Sequence, residues 1–357
     1  MTFRDLHWPT VALASGLGIA GGLLAQILGL PLPWLLGSLG ATAVAGIARV
    51  APFGRPLALP EGLRLVFVPV IGVSIGAAVT PELADAIWAW LPSLAALLVY
   101  IPLAHALAYT LARRAAGIDK ATAYYGTMPG GFIESIAMGD AAGADGALLS
   151  TMQFLRLILC IAGIPIGFTL LTGETVGSAT GRVLGDVPLS PQDWAILAAS
   201  GIVGALAGRT LGLPAGIISG PILVSGLVHL VGWVEGGPPR WLIDLTQLVI
   251  GTTLGARFAG RRSATLLRGA AITLVTVTAT LILAALVALL LDGLVGESWQ
   301  AVFLAFAPGG LAEMSLVALS LEISVIYVTA HHILRIILSV IFARAGARWV
   351  LGDARAP

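Results

Sequence analysis

Charge is scarce in this sequence. Only 10% of its 357 residues are Asp, Glu, Lys or Arg, against about a quarter in a soluble domain, so a water-exposed surface cannot be built from it. Cysteine is nearly absent too: a lone Cys160 excludes an internal disulfide and a cysteine metal site. The five histidines (His7, His105, His229, His331 and His332) are dispersed, with no His/carboxylate grouping at i,i+4, so no metal centre is expected. The formal net charge of +1 gives no bias towards nucleic acid. No P-loop pattern appears, so ATP-driven work by this chain is not expected. No cofactor and no catalytic residue is indicated.

Apolar residues are what remains. They make up 58% of the chain, and the mean hydropathy is +0.98. Long apolar runs recur, as at Val11–Leu30, Leu94–Leu111, Trp194–Leu211 and Ala270–Leu291. Each is long enough to cross the hydrocarbon core of a bilayer as a helix. The fold class is therefore all-α, a polytopic membrane protein. Arg4 ahead of the first run mimics a signal peptide, but the stretch lacks a convincing A-x-A cleavage site and "LPLPWLLG" leads into more membrane sequence. That run reads as the first span.

The chain also repeats itself. "VIGVSIGA" at Val70–Ala77 and "VIGTTLGA" at Val249–Ala256 are about 179 residues apart. The same offset carries Pro129, Gly130 and Gly131 onto Pro308, Gly309 and Gly310. It also carries Glu134 onto Glu313, and Arg156 onto Arg335. Slightly shifted, "LGLP" occurs at Leu28–Pro31 and Leu211–Pro214. Blocks in the same order and spacing mark a tandem duplication, with its seam near Gly173–Pro191. The expected partition is 1–172 for the first repeat, 173–192 for a linker, 193–345 for the second repeat and 346–357 for a short cytoplasmic tail.

Positively charged loops tend to stay cytoplasmic. In the first half the loops run basic (Arg49, Arg55, Arg64), acidic (Glu82, Asp85), then basic (Arg113, Arg114, Lys120). In the second half Glu235 and Asp244 outweigh Arg240, then come Arg257, Arg261, Arg262 and Arg268, then Asp292 and Glu297. The sign is swapped, which predicts an inverted-topology repeat. Inversion needs an odd number of crossings, and five spans per half are read: about 10–30, 31–48, 64–80, 88–112 and 147–171, then 193–210, 213–233, 241–258, 268–291 and 323–344. The Pro-Gly-Gly segments fall between the fourth and fifth spans and are read as re-entrant or broken helices. Both termini are then cytoplasmic, in keeping with Arg344, Arg348 and Arg355.

Irregular backbone at membrane depth is tolerated only against protein or a water-filled cavity. A helix opening at Pro129 or Pro308 would present free N–H groups and a partial positive charge, and the glycines would let a ligand approach. Inverted-repeat transporters place such half-helix ends at a shared central site. Pro129, Gly130, Gly131, Pro308, Gly309 and Gly310 are thus candidate substrate-binding residues. Glu134 and Glu313, carboxylates at membrane depth, are candidates for ion coupling; the plainer alternative is that each only satisfies a helix end or pairs with an arginine. Arg156 and Arg335 suit an anionic substrate or, equally, an ion pair with the repeat's own glutamate. His332, one turn from Arg335, is a further candidate, although a packed polar pair of His331 and His332 is the plainer reading; neighbouring helix positions point about 100° apart. Gly72 and Gly76, like Gly251 and Gly255, have the G-x-x-x-G spacing of close helix packing.

The doubled "PGG-x-x-E" block, "AHHILRIIL" at Ala330–Leu338 and "GLPLPWLLG" at Gly29–Gly37 resemble the AbrB-duplication family of bacterial inner-membrane proteins, whose members are often labelled ammonia monooxygenase. The resemblance covers nearly the whole chain. At greater distance the chain is similar to the inverted-repeat group of sodium/proton antiporters, bile-acid symporters and the sodium/glutamate symporter. That likeness implies alternating access, cation coupling and homodimers. Together these readings favour a secondary transporter of a small organic solute, an anion by its two arginines, coupled to a proton or sodium gradient. The alternatives are a membrane monooxygenase, which the dispersed histidines disfavour, an uncoupled channel, or a membrane regulator of gene expression.

Overall fold

A computed structural model describes residues 7–51, 54–80, 83–173, 188–261 and 263–352. Arg4, Glu82, Arg262 and Arg355, most of the expected linker 173–192 and the end of the expected tail lie outside the described residues. The regular structure among the described residues is helical. The helices are α1 (Trp8–Ile27), α2 (Pro33–Ile47), α3 (Glu61–Gly76), α4 (Leu83–Ala116), α5 (Lys120–Gly126), α6 (Phe132–Ala141), α7 (Gly146–Thr172), α8 (Pro191–Thr210), α9 (Gly216–Leu230), α10 (Arg240–Ala256), α11 (Ser263–Leu291), α12 (Trp299–Phe306), α13 (Leu311–Ser320) and α14 (Val325–Leu351).

The duplication is visible in helix lengths. α1 to α7 hold 20, 15, 16, 34, 7, 10 and 27 residues. α8 to α14 hold 20, 15, 17, 29, 8, 10 and 27. Local sequence explains several starts. Ser190 and Asp193 form a capping box at α8, while Asp119 accepts from Thr122 N and Ser298 from Ala301 N at α5 and α12; such acceptors satisfy otherwise orphaned N–H groups.

Each of the ten expected spans corresponds to one helix, but five are long and apolar enough to cross a membrane: α1, α4, α7, α11 and α14, over Trp8–Ile27, Ile87–Arg114, Gly146–Leu171, Ser263–Leu291 and Val325–Leu351. This qualifies the expectation of ten full-length spans. α2, α3, α9 and α10 are about 22–26 Å long at 1.5 Å per residue, short of a core of about 30 Å. α8 has the length but carries Gln192, Asp193 and Arg209 towards its ends.

The chain forms two compact units, and each draws on both sequence halves. The first unit comprises Met1–Pro81, Ile164–Arg261 and Ser315–Ile326; the second comprises Glu82–Gly163, Arg262–Met314 and Tyr327–Pro357. Small residues hold the first unit together. Gly21 of α1 lies against Gly37 of α2, and Gly204 and Gly208 of α8 lie against Gly216 and Gly220 of α9, so closely that an added Cβ would strike the facing backbone. The third helices are exchanged. A Cβ at Gly72 or Gly76 of α3 would meet α9 at Ile218 O and Ser225 Cβ, each 2.6 Å away, and one at Gly251 or Gly255 of α10 would strike Ser38 or Thr42 of α2. Both G-x-x-x-G spacings are therefore packing seams, each joining the third helix of one half to the second helix of the other. Ser225 Oγ donates to Val73 O at 2.9 Å across one of them.

In the second unit α5, α6, α7 and α14 close around Tyr125, Met128, Leu149 and Ala343. Tyr124 of α5 donates its hydroxyl to Ala343 O of α14 at 3.0 Å. Both Pro-Gly-Gly segments belong to this unit.

Candidate functional site: two helix breaks in one unit

Each Pro-Gly-Gly segment interrupts a helix. α5 gives way to α6 at the first, and α12 gives way to α13 at the second. The expectation that helices open at Pro129 and Pro308 is corrected: regular helix begins at Phe132 and Leu311. At the first break the reason is Gly131, which has φ 69° and caps α6 in the left-handed region, where a helix cannot continue and only glycine sits without strain. Glu134 and Glu313 consequently stand in the first turns of α6 and α13, where a carboxylate complements the positive helix end. Each folds back over the second glycine of its motif. Glu134 Oε2 is 3.1 Å from the position of a Cβ at Gly131, and a Cβ at Gly310 would collide with Glu313 Oε2. Their surroundings differ: Glu313 is 2% exposed and Glu134 is exposed.

The arginines serve a purpose the sequence reading did not weigh. Arg156, 6% exposed, donates Nη1 to Met128 O. Arg335, 1% exposed, donates Nη1 to Ala307 O, and Nη2 to Gly309 O at 2.6 Å. The paired carbonyls are counterparts, since Met128 and Ala307 are related by the 179-residue offset. Among the described residues neither guanidinium bonds the glutamate of its own repeat, one of the two alternatives the sequence leaves open; both cap the irregular backbone.

The same offset explains His332. Its counterpart is Gln153, whose Nε2 donates to Tyr125 O at 2.7 Å and to Met128 O at 3.2 Å. His332 Nε2 lies 3.0 Å from Leu304 O, the counterpart of Tyr125. A carbonyl only accepts, so Nε2 carries the proton, and Nδ1 accepts from Arg335 Nη2 at 3.1 Å. His331 donates Nδ1–H to Tyr327 O at 2.8 Å, and its Nε2 stands 2.8 Å from Ser93 Oγ, whose own proton goes to Trp90 O at 2.9 Å. Among the described residues no three of His, Cys, Asp and Glu gather as a metal site.

The breaks also exchange partners between the halves. Cys160 of α7 donates Sγ–H to Pro308 O at 2.7 Å. Its counterpart, Ser339 of α14, stands 2.9 Å from the position of a Gly130 Cβ, with Arg335 O at 3.3 Å. Each Pro-Gly-Gly break thus rests on the last helix of the other half. Gln153, Cys160 and Ser339 were missed as site residues, although aligning the two halves would have singled them out. Ser74 and Thr253 are bonded within their own helices, to Val70 O and Val249 O. In the first unit, an apolar groove of about 510 Å³ lies along α3 and α8 with Arg209 as its one charged residue.

This is an all-helical, multi-pass membrane protein whose two halves each contribute a broken helix to one buried cluster. The chain belongs to the AbrB family: the family model described as transition state regulatory protein AbrB matches residues 39–351. It is 26% identical over 342 residues to the uncharacterized protein YhjN of Bacillus subtilis (strain 168), covering 89% of this chain and 87% of that one. It is 25% identical over 346 residues to the "Putative regulator AbrB" of Escherichia coli (strain K12), covering 97% of each.

Proposed function

We propose that the chain is a secondary transporter of a small organic anion, working by alternating access on an ion gradient, and not an enzyme. The observation that carries this reading is the meeting of two interrupted helices, one from each half, around two buried arginines whose guanidinium groups bond backbone carbonyls and His332 and, among the described residues, no carboxylate. Broken helices at a repeat interface are how inverted-repeat transporters form a central site, and unneutralised buried cations favour a negatively charged solute. The alternation of loop charge supports opposite orientation of the halves, ten crossings and cytoplasmic termini in a bacterial inner membrane. The likeness to the cation-coupled group supports a homodimer. Glu134 and Glu313, at the mouths of α6 and α13, are the coupling groups in this reading.

The test is flux in liposomes. Purified protein is first screened for small carboxylates that raise its melting temperature, since a ligand bound to the folded state stabilises it. The stabilising solute is then followed into vesicles. Uphill accumulation on an imposed pH gradient, lost in both Glu134→Gln and Glu313→Gln while these still fold in detergent, is the expected result. Downhill flux with no response to any ion gradient would instead make the protein a channel.

A further inference from the structure

Sodium sites in broken-helix transporters are made from unwound backbone carbonyls and from the C-terminal ends of half-helices. In this protein six of those oxygens already hold side-chain donors from the chain. At the first break Tyr125 O and Met128 O take Gln153 and Arg156. At the second, Leu304 O takes His332, Ala307 O and Gly309 O take Arg335, and Pro308 O takes Cys160. We infer that Arg156 and Arg335 are the resident cations of the two helix breaks, holding the carbonyls that a sodium ion would otherwise coordinate, so that the protein binds and uses no sodium.

Three physical points carry this. Stripping a buried guanidinium of its acceptors to admit a metal ion leaves a charge without partners, which is strongly unfavourable. The two guanidinium groups also lie within electrostatic reach of each other, and a third cation beside them meets like-charge repulsion that the low-dielectric interior strengthens. The acids cannot rebuild the site from the other side, because Glu134 and Glu313 stand at helix N-termini, where the dipole opposes a cation. What the breaks have left over also suits an anion: the Nε–H groups of Arg156 and Arg335 are buried without a partner among the described residues, as is Ser339 Oγ.

The inference rests on the transporter reading for its meaning, but its test is a binding measurement that needs no flux. Full-length protein in detergent is melted across a titration of sodium chloride against choline chloride at constant chloride and ionic strength. No saturable shift is expected for the wild type; a saturable rise with sodium overturns the inference. Arg335→Gln, which takes the cation away from Ala307 O and Gly309 O, should gain a saturable sodium-dependent rise, whereas Arg335→Lys should stay insensitive. A folded Arg335→Gln that ignores sodium would show that these carbonyls are not ion ligands, and overturns the inference as well. If Arg335→Gln does not fold, the wild-type titration decides. A sodium response leaves the transporter reading standing, while failure of every solute to move in liposomes removes that reading and leaves the ion result intact.

Discussion

The two helix breaks share one plan and are stitched to different depths. At the first, Arg156 bonds a single carbonyl, Met128 O, which Gln153 also reaches, and the acid of the following turn, Glu134, is exposed. At the second, Arg335 bonds two carbonyls and His332, a thiol from the other half adds a third carbonyl contact, and Glu313 is buried. Duplication supplied the positions; divergence at Gln153/His332 and Cys160/Ser339 set the difference. The second break is the anchored one, and the first presents its acid to the surroundings. In a transporter that asymmetry would let one half-site stay fixed while the other changes its access.

The largest expected effect tests that ranking directly. Arg335→Met leaves Gly309 O and His332 Nδ1 without their side-chain donor and Ala307 O with only the Gly309 N–H, and each buried acceptor left unsatisfied costs about 1–3 kcal/mol. Arg156→Met leaves Met128 O still bonded by Gln153, so only one charge-assisted bond goes, worth about 1.5–3 kcal/mol. Melting temperatures in detergent should fall for both and fall further for Arg335→Met. Equal losses would erase the distinction between an anchored and a loose break.

A smaller effect separates the causes of the two glycines. Gly131 has φ 69°, and a side chain there costs about 1–2 kcal/mol through backbone strain. Gly310 is not among the positive-φ glycines; its constraint is the Glu313 carboxylate lying over it, the end of a movable side chain. Gly310→Ala should therefore be rescued by adding Glu313→Ala, while Gly131→Ala should not be rescued by Glu134→Ala. The coupling energy of the two double-mutant cycles measures this. Rescue in both would mean that crowding, not φ, constrains the first break as well.

Much of this could be read without coordinates, and the reason is periodicity of two kinds. Apolar runs located one helix for each of the ten expected spans, five of them long and apolar enough to cross a membrane, because a bilayer selects helix length and hydropathy together. The 179-residue offset located both breaks, because a proline followed by two glycines strongly disfavours continued helix. The bonding of Arg156 and Arg335 was not legible. A side chain nearly three turns into a helix can reach a carboxylate, a solute or a backbone carbonyl, and only the path of the chain through Met128 and Ala307 decides among them. Nor was the interleaving of the halves into two units, since exchange of α3 and α10 between second helices leaves the same glycine spacing as packing within a half.

The smallest expected effect concerns His332, and it is the sharpest on chemistry. If its task is to donate to Leu304 O and accept from Arg335, then the residue that its counterpart position already uses should serve. A glutamine amide carries both a donor and an acceptor, so His332→Gln should keep both bonds and cost less than about 1.5 kcal/mol, in the range of well-tolerated core exchanges. His332→Ala removes both and leaves a buried carbonyl and a guanidinium N–H unpaired, at about 1–3 kcal/mol for each such group. Melting temperatures of the two variants should differ clearly, with the glutamine near wild type and solute binding retained. If instead glutamine melts with the wild type but loses the solute, the imidazole contacts the ligand itself, and the second break differs from the first in chemistry and not only in the number of its bonds.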